Sequence, residues 1–384
     1  MPDRTGTGRP ATAAAPGALA RGAPTGRART RRVARALLAA LLATGLLATA
    51  ADARVARGDP AARLPEGSLA GEYWDVAARF ESGHLLVATV ALVDNGLGRR
   101  NAIAVGELLE PDGTRHRFSR SEREGGWRLE QEGRRLDLHS IVLDQAGDPR
   151  RFVVDKDELG IELEIASAGA PAWPAREASP GCGFDVLEVA GPATVRFRRA
   201  AGAEPVALRG LAAVTHRWTS GLEVACLRRG VELFAMQPGL GLYFRQSETP
   251  DGARHTWLLV RQGTRTVFQG APRESALEWR GGAPGYPEPA TLRFAAPGVE
   301  GRVAFGAPLA TFEPLARLPA PLRALLELRT RPRLAWSRPR FELRLAGRAL
   351  RGDALAKLAW TNPQPEPLVA LPAALAVHSA TEGE

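Results

Sequence analysis

From residue 72 onward apolar and polar residues alternate with a period of two, and turn chemistry interrupts the alternation roughly every 8–15 residues. A period of two puts successive side chains on opposite faces of a strand. Connections this short leave no room for the helical crossovers that parallel strands require. The chain is thereby restricted to antiparallel sheet. The run His84 to Val93 is nearly continuously apolar and ends in Asp94-Asn95-Gly96, a hairpin signal. Ala102 to Leu109 ends in Pro111-Asp112-Gly113, and Ile161-Glu162-Leu163-Glu164-Ile165 alternates without a fault. After a Pro- and Gly-rich interval at 169–181 the pattern returns in Val195 to Arg198, Trp257 to Val260, Leu292 to Phe294 and Phe341 to Leu345. One segment departs from it: Pro321 to Leu328 is Pro-led and amphipathic, and predicts a short helix near 320–329. Consecutive strands joined by tight turns close most simply into up-and-down barrels. The expectation is an all-β protein of two antiparallel β-barrels in tandem, at 54–168 and 182–363, with 169–181 as linker and 364–384 as a flexible tail.

The 384 residues carry a net charge of +9, which raises the question of nucleic acid. The charge is unevenly placed. Residues 1–53 hold eight Arg against Asp3 and Asp52, so the rest of the chain is close to neutral. The Arg pairs farther on, such as Arg228-Arg229, lack interleaved aromatics and read as solvated loops, so no nucleic-acid partner is expected. Within 1–53 a basic stretch precedes an apolar run from Ala36 to Ala51, and Ala51-Asp52-Ala53 is a small-residue exit. This is the pattern of a secretory signal, and it places the mature protein in the periplasm or outside the cell. An uncleaved N-terminal anchor is the competing reading. Association with a membrane surface and the oligomeric state stay open. Cys182 and Cys226 are the only thiols and would meet an oxidising compartment, where they are either bridged or separately buried. No Cys-x-x-Cys exists, so neither a redox centre nor a zinc ribbon is indicated.

Two segments add a family resemblance. The first is Glu72-Tyr73-Trp74-Asp75-Val76, and the second is Arg209-Gly210-Leu211-Ala212-Ala213-Val214-Thr215-His216-Arg217-Trp218. Together they resemble the two-domain lipocalin-like superfamily of carotenoid 1,2-hydratases, tocopherol cyclases and AttH-type secreted proteins. Two positions depart from that pattern. Tyr73 stands where the family usually has a second Trp, and Thr219 follows Trp218 where it usually has Gly. The resemblance implies two lipocalin-like barrels and a hydrophobic, often isoprenoid, ligand held at or between them.

His216 is the candidate catalytic residue, because imidazole exchanges protons near neutral pH and hydration or cyclisation of an alkene needs a proton source in an apolar pocket. Asp75 or Glu72 is the candidate acid beside it, and Glu72, Tyr73, Trp74 and Trp218 are candidate ligand contacts, the aromatic faces suiting a developing positive charge. The bland alternative is that His216 and Trp218 merely close a barrel. The other histidines show no metal-ligand spacing, no Gly-x-Ser-x-Gly elbow is present, and Gly239-Leu240-Gly241 lacks the rest of a dinucleotide fingerprint, so no metal or cofactor is expected. Three functions follow: a carrier of a hydrophobic small molecule such as an isoprenoid or other lipid, a hydratase, cyclase or isomerase acting by acid–base chemistry, and a non-catalytic interaction module.

Overall fold

The computed structural model describes residues 60–67, 69–94, 99–168, 181–317, 320–328 and 330–361, all within one compact unit spanning 56–384. The signal-type segment at 1–53, most of the interval at 169–181 and the tail at 364–384 lie outside the described residues.

The first sheet starts as a meander of β1 (Gly71–Phe80), β2 (Leu85–Asp94), β3 (Arg100–Leu109) and β4 (Arg115–Glu122). A second meander follows in β5 (Arg128–Glu130), β6 (Arg135–Asp137), β7 (Ile141–Asp144), β8 (Arg150–Lys156) and β9 (Leu159–Ile165). The long strands β10 (Cys182–Arg198) and β11 (Val206–Thr219) join the two, giving a curled eleven-stranded sheet in the order β4-β3-β2-β1-β11-β10-β9-β8-β7-β6-β5. Its inner face buries Trp74, Val76, Phe80, Leu86, Leu108, Phe118, Phe152 and Phe197. Each such side chain stabilises the fold by about 1.5–3 kcal/mol relative to an exposed one.

This corrects the expected division of the chain. Residues 182–219, assigned from the sequence to the second barrel, form the centre of the first sheet: β11 pairs with β1, and β10 pairs with both β11 and β9. The Pro/Gly interval at 169–181 thus separates two neighbouring strands of one sheet, and the change of sheet comes after Thr219. A break in periodicity marks the end of a strand. It carries no information about which sheet the next strand joins.

The rest of the chain supplies β12 (Arg229–Gln237), β13 (Leu240–Glu248), β14 (Arg254–Gln262), β15 (Arg265–Gly270), β16 (Glu274–Ala283), β17 (Tyr286–Ala296) and β18 (Val299–Ala304). After β19 (Pro308–Phe312) comes α1 (Ala320–Glu327), the longest helix among the described residues and the one expected near 320–329. The strands β20 (Arg333–Ser337), β21 (Arg340–Leu345), β22 (Arg348–Asp353) and β23 (Leu355–Trp360) complete the fold. They form a seven-stranded sheet, β15-β14-β13-β12-β23-β20-β19, and a five-stranded sheet, β16-β17-β18-β21-β22, around a second core that includes Phe244, Leu258, Leu292, Phe294 and Phe341. The all-β expectation holds. No helix among the described residues is long and apolar enough to cross a membrane.

A third apolar layer joins the halves. Ala77, Val87, Phe184, Val186 and Ala213 from the outer face of the first sheet meet Phe234, Met236, Tyr243, Trp257, Trp336 and Leu355 from the seven-stranded sheet. The continuous apolar run in β2 follows from this arrangement: Leu86, Ala88 and Val90 face the first core, while Leu85 and Val87 face the seam.

Candidate functional site

The register of β1 against β11 decides which candidate residues meet. Glu72 stands opposite Trp218, Trp74 opposite His216, and Asp75 opposite Thr215. Alternation therefore places Glu72, Trp74, His216 and Trp218 on the face toward the first core, and Tyr73 and Asp75 on the face toward the seam. Of the two candidate acids, Asp75 lies on the opposite side of the sheet from His216. The acid that meets His216 is Glu72.

On the core side His216 Nε2 lies 2.6 Å from Glu72 Oε1, and the imidazole stacks on Trp74 with 4.7 Å between ring centroids. Glu72 also accepts hydrogen bonds from the backbone N–H groups of Arg63 at 2.6 Å and Leu64 at 2.9 Å. It thus ties the segment leading into β1 to the sheet. Arg63 spreads its guanidinium over Trp218 at 3.8 Å and donates to Asp185 Oδ2 at 2.6 Å. Trp218 in turn lies over Gly183, where a Cβ would come within 2.2 Å of the indole, so only glycine admits the ring at that position. Glu72, Asp185 and His216 are all fully buried. Three buried polar atoms here, His216 Nδ1, Asp185 Oδ1 and Trp74 Nε1, have no hydrogen-bond partner among the described residues.

On the seam side Asp75 accepts from Thr89 Oγ1 at 2.6 Å and from Lys357 Nζ of β23 at 2.5 Å, with Arg217 Nε at 3.5 Å. Burial alone would raise the Asp75 carboxyl, but Lys357 and Arg217, together with the hydrogen bonds from Lys357 and Thr89, outweigh it and hold the group below its ordinary range. Burial and the neighbouring Arg217 push Lys357 down, against the pull of Asp75 and then of Glu232, so its ammonium depends chiefly on the Asp75 carboxylate. Arg217 stacks over the Tyr73 ring at 4.1 Å and pairs with Glu223 from the helical turn Glu223–Cys226. Burial opposes its charge, but Glu223 and then Asp75 keep the guanidinium above its usual value, while Tyr73 is raised chiefly by burial. Beyond it, Glu232 accepts from Arg245 and from the Tyr243 hydroxyl, each at 3.1 Å. Cys182 and Cys226 are joined by a disulfide with their Cα atoms 6.0 Å apart, fixing this turn to the start of β10.

A cleft of about 140 Å³ opens at the seam beside this network. Its walls are Val87, Thr89, Val105 and Glu107 from the first sheet and Ala310, Phe312, Leu334 and Trp336 from β19 and β20. Thr89 belongs both to the cleft and to the Asp75 hydrogen bond, so the lining is one side chain away from the Asp75–Lys357 pair. The sequence does not single out Lys357, Asp185, Arg217 or Arg63. For Lys357 a signal exists, because it and Lys156 are the only lysines among 51 basic residues. Among the described residues no group of His, Cys, Asp and Glu is arranged to hold a metal ion.

No family model and no curated protein matches the sequence. Solved structures do match the fold. A candidate AttH from Nitrosomonas europaea superposes with a TM-score of 0.54 at 13% identity, covering 78% of this chain and 96% of the other. CghA with Sch210972 gives a TM-score of 0.57 at 11% identity over 79% of this chain and 94% of its own. Kievitone hydratase from Nectria haematococca gives 0.52 at 10% identity, with 80% and 94% covered. The chain thus shares the fold of these solved structures, in agreement with the two-barrel fold that the resemblance of its Glu72–Val76 and Arg209–Trp218 segments implies.

Proposed function

We propose that the protein binds a small hydrophobic molecule in the cleft at the seam between its halves. The observation that carries this reading is the cleft itself, with Val87, Val105, Leu334, Phe312 and Trp336 presenting apolar and aromatic surface beside a few polar groups. Its volume is close to that of an engineered apolar cavity of about 150 Å³ that takes up benzene. The fold neighbours support it: one is in complex with Sch210972 and another is a hydratase named for kievitone. We also propose that the protein is exported, with the Ala36 to Ala51 run as its signal, which agrees with the Cys182–Cys226 bridge. The test is mass spectrometry of an organic extract of the purified protein beside a Val105→Trp variant, whose indole fills the cleft. A hydrophobic compound should co-purify with the wild type and be depleted in the variant. Equal recovery from both would place the ligand elsewhere and refute the reading.

A second reading, acid–base conversion of the ligand, is favoured by the three unpartnered buried atoms around His216. It requires an opening into the first core. Conversion of an isoprenoid-like alkene that is lost in His216→Gln, with thermal stability unchanged, would support it over simple carriage.

A further inference from the structure

We propose that the seam cleft takes its hydrophobic ligand through a hydroxyl group, whose O–H donates to Glu107. The inference rests on the cleft being the ligand site. Glu107 lies on β3 between Val87 of β2 and Arg117 of β4, with its side chain on the seam face of the sheet. It is 9% exposed, in a wall otherwise made largely of apolar and aromatic groups. Arg117 Nε donates to Oε1 at 2.8 Å. Oε2 is buried and accepts no hydrogen bond from the described residues, and Arg115 Nη1 stands 3.7 Å away. A buried carboxylate oxygen left without a donor carries a desolvation cost that a donor on the ligand would relieve.

The surroundings select the kind of donor. Two guanidiniums flank this single carboxylate, so the immediate field is net positive and disfavours an ammonium. An anionic head is an acceptor only and has no proton to donate to Oε2. A neutral O–H donates to Oε2 with neither penalty. The size of the cleft suits one ring or the end of a longer chain, and Trp336 is among the residues that line it. The ligand class is a hydrophobic alcohol or phenol.

Two probes of nearly equal shape test this: 4-ethylphenol and ethylbenzene, titrated into the full chain by calorimetry, with Val105→Trp reporting whether binding is in the cleft. A hydrogen bond to a charged group is worth roughly 10- to 100-fold in affinity. The affinity ratio of phenol to hydrocarbon should fall by that factor in Glu107→Leu. In Glu107→Gln, which keeps a neutral acceptor, it should fall several-fold, and this variant decides the matter alone if the Leu variant does not fold. A ratio unchanged across the variants, with both probes still excluded by Val105→Trp, overturns the hydroxyl assignment and leaves the cleft reading standing. If Val105→Trp excludes neither probe, the cleft reading itself has failed.

Discussion

Lys357→Met removes one charge from the seam while keeping most of the volume of the side chain. In the native protein Lys357 Nζ and Asp75 Oδ2 are 2.5 Å apart and both residues are fully buried. Breaking a buried pair by removing one partner costs about 3–5 kcal/mol, because the charge left behind is uncompensated. Asp75 would retain the Thr89 hydroxyl at 2.6 Å and the more distant Arg217 Nε at 3.5 Å, which puts the expected loss near the lower end, about 3 kcal/mol. Removing both charges, in Asp75→Leu/Lys357→Met, should cost no more than the single change, since an apolar pair of similar volume replaces a buried ion pair at little or no cost. The two substitutions should therefore be non-additive by about 2 kcal/mol or more. Urea unfolding of the wild type, both single variants and the double variant measures this. Its pH dependence supplies an independent check. Asp75 titrates lower in the folded than in the unfolded chain, so its contribution is complete above the unfolded value of 3.8 and is lost as the pH falls through the lower folded value. Without Lys357 the carboxyl loses the strongest of the groups that lower it, so its folded value moves up toward the unfolded one. The variant should then lose less stability than the wild type as the pH falls through this range. Additive costs, or a Lys357→Met variant within about 1 kcal/mol of the wild type, would refute the pairing.

Cys226→Ser opens a loop of 44 residues' separation and should lower stability by about 4 kcal/mol on the chain-entropy estimate; mass mapping of the unreduced protein should link Cys182 to Cys226, and two freely alkylated thiols would contradict this. Glu72→Ala should cost more than His216→Gln, by urea unfolding, because Glu72 also holds the Arg63 and Leu64 amides; the reverse order would show that anchoring of the leading segment is unimportant. Glu110 is held at about 2, first by its hydrogen bond from Arg199 and then by His116, so its contribution is complete above about pH 4.5 and disappears as the pH falls toward 2. Glu110→Gln should accordingly flatten the acid limb of the stability profile, and an unaltered acid limb would count against the Arg199 contact.

Strands that alternate cleanly, such as β9, are legible in the sequence because one face meets the core and the other meets water. The run at the start of β2 is legible as a strand too, but its two apolar faces do not mark a ligand-filled lumen. They reflect burial in two cores, and the second is completed by residues from β12 onward, far along the chain. β4 escapes a reading by pattern because Phe118 is its only apolar residue; it sits at the edge of the sheet, where charged side chains can reach solvent. The domain boundary is hidden because strand pairing is non-local. The candidate site shows what parity does and does not give. Glu72 and Trp74 must share a face and Asp75 must lie on the other, which the spacing alone requires. Which of those faces His216 shares depends on the register of β1 against β11. Glu72 and His216 are 144 residues apart in the chain, and no local pattern records that they meet.

Strand β1 carries both polar clusters, one on each face, and this separates their physical roles. On the core face Glu72 commits its hydrogen bonds to two backbone amides and to His216, and Trp74 and Trp218 pack around the imidazole. The motif that resembles a family of hydratases and cyclases is thereby engaged in closing one end of the first core. On the seam face Asp75 is joined through Thr89 to the lining of the cleft, the proposed ligand site. A reaction at His216 needs the first core to open, which breaks several of these contacts at once. A binding event at the cleft breaks none of them. Binding at the seam is therefore the less costly event, and that ordering is why the cleft, and not the His-x-Trp motif, is the first place to look for a ligand.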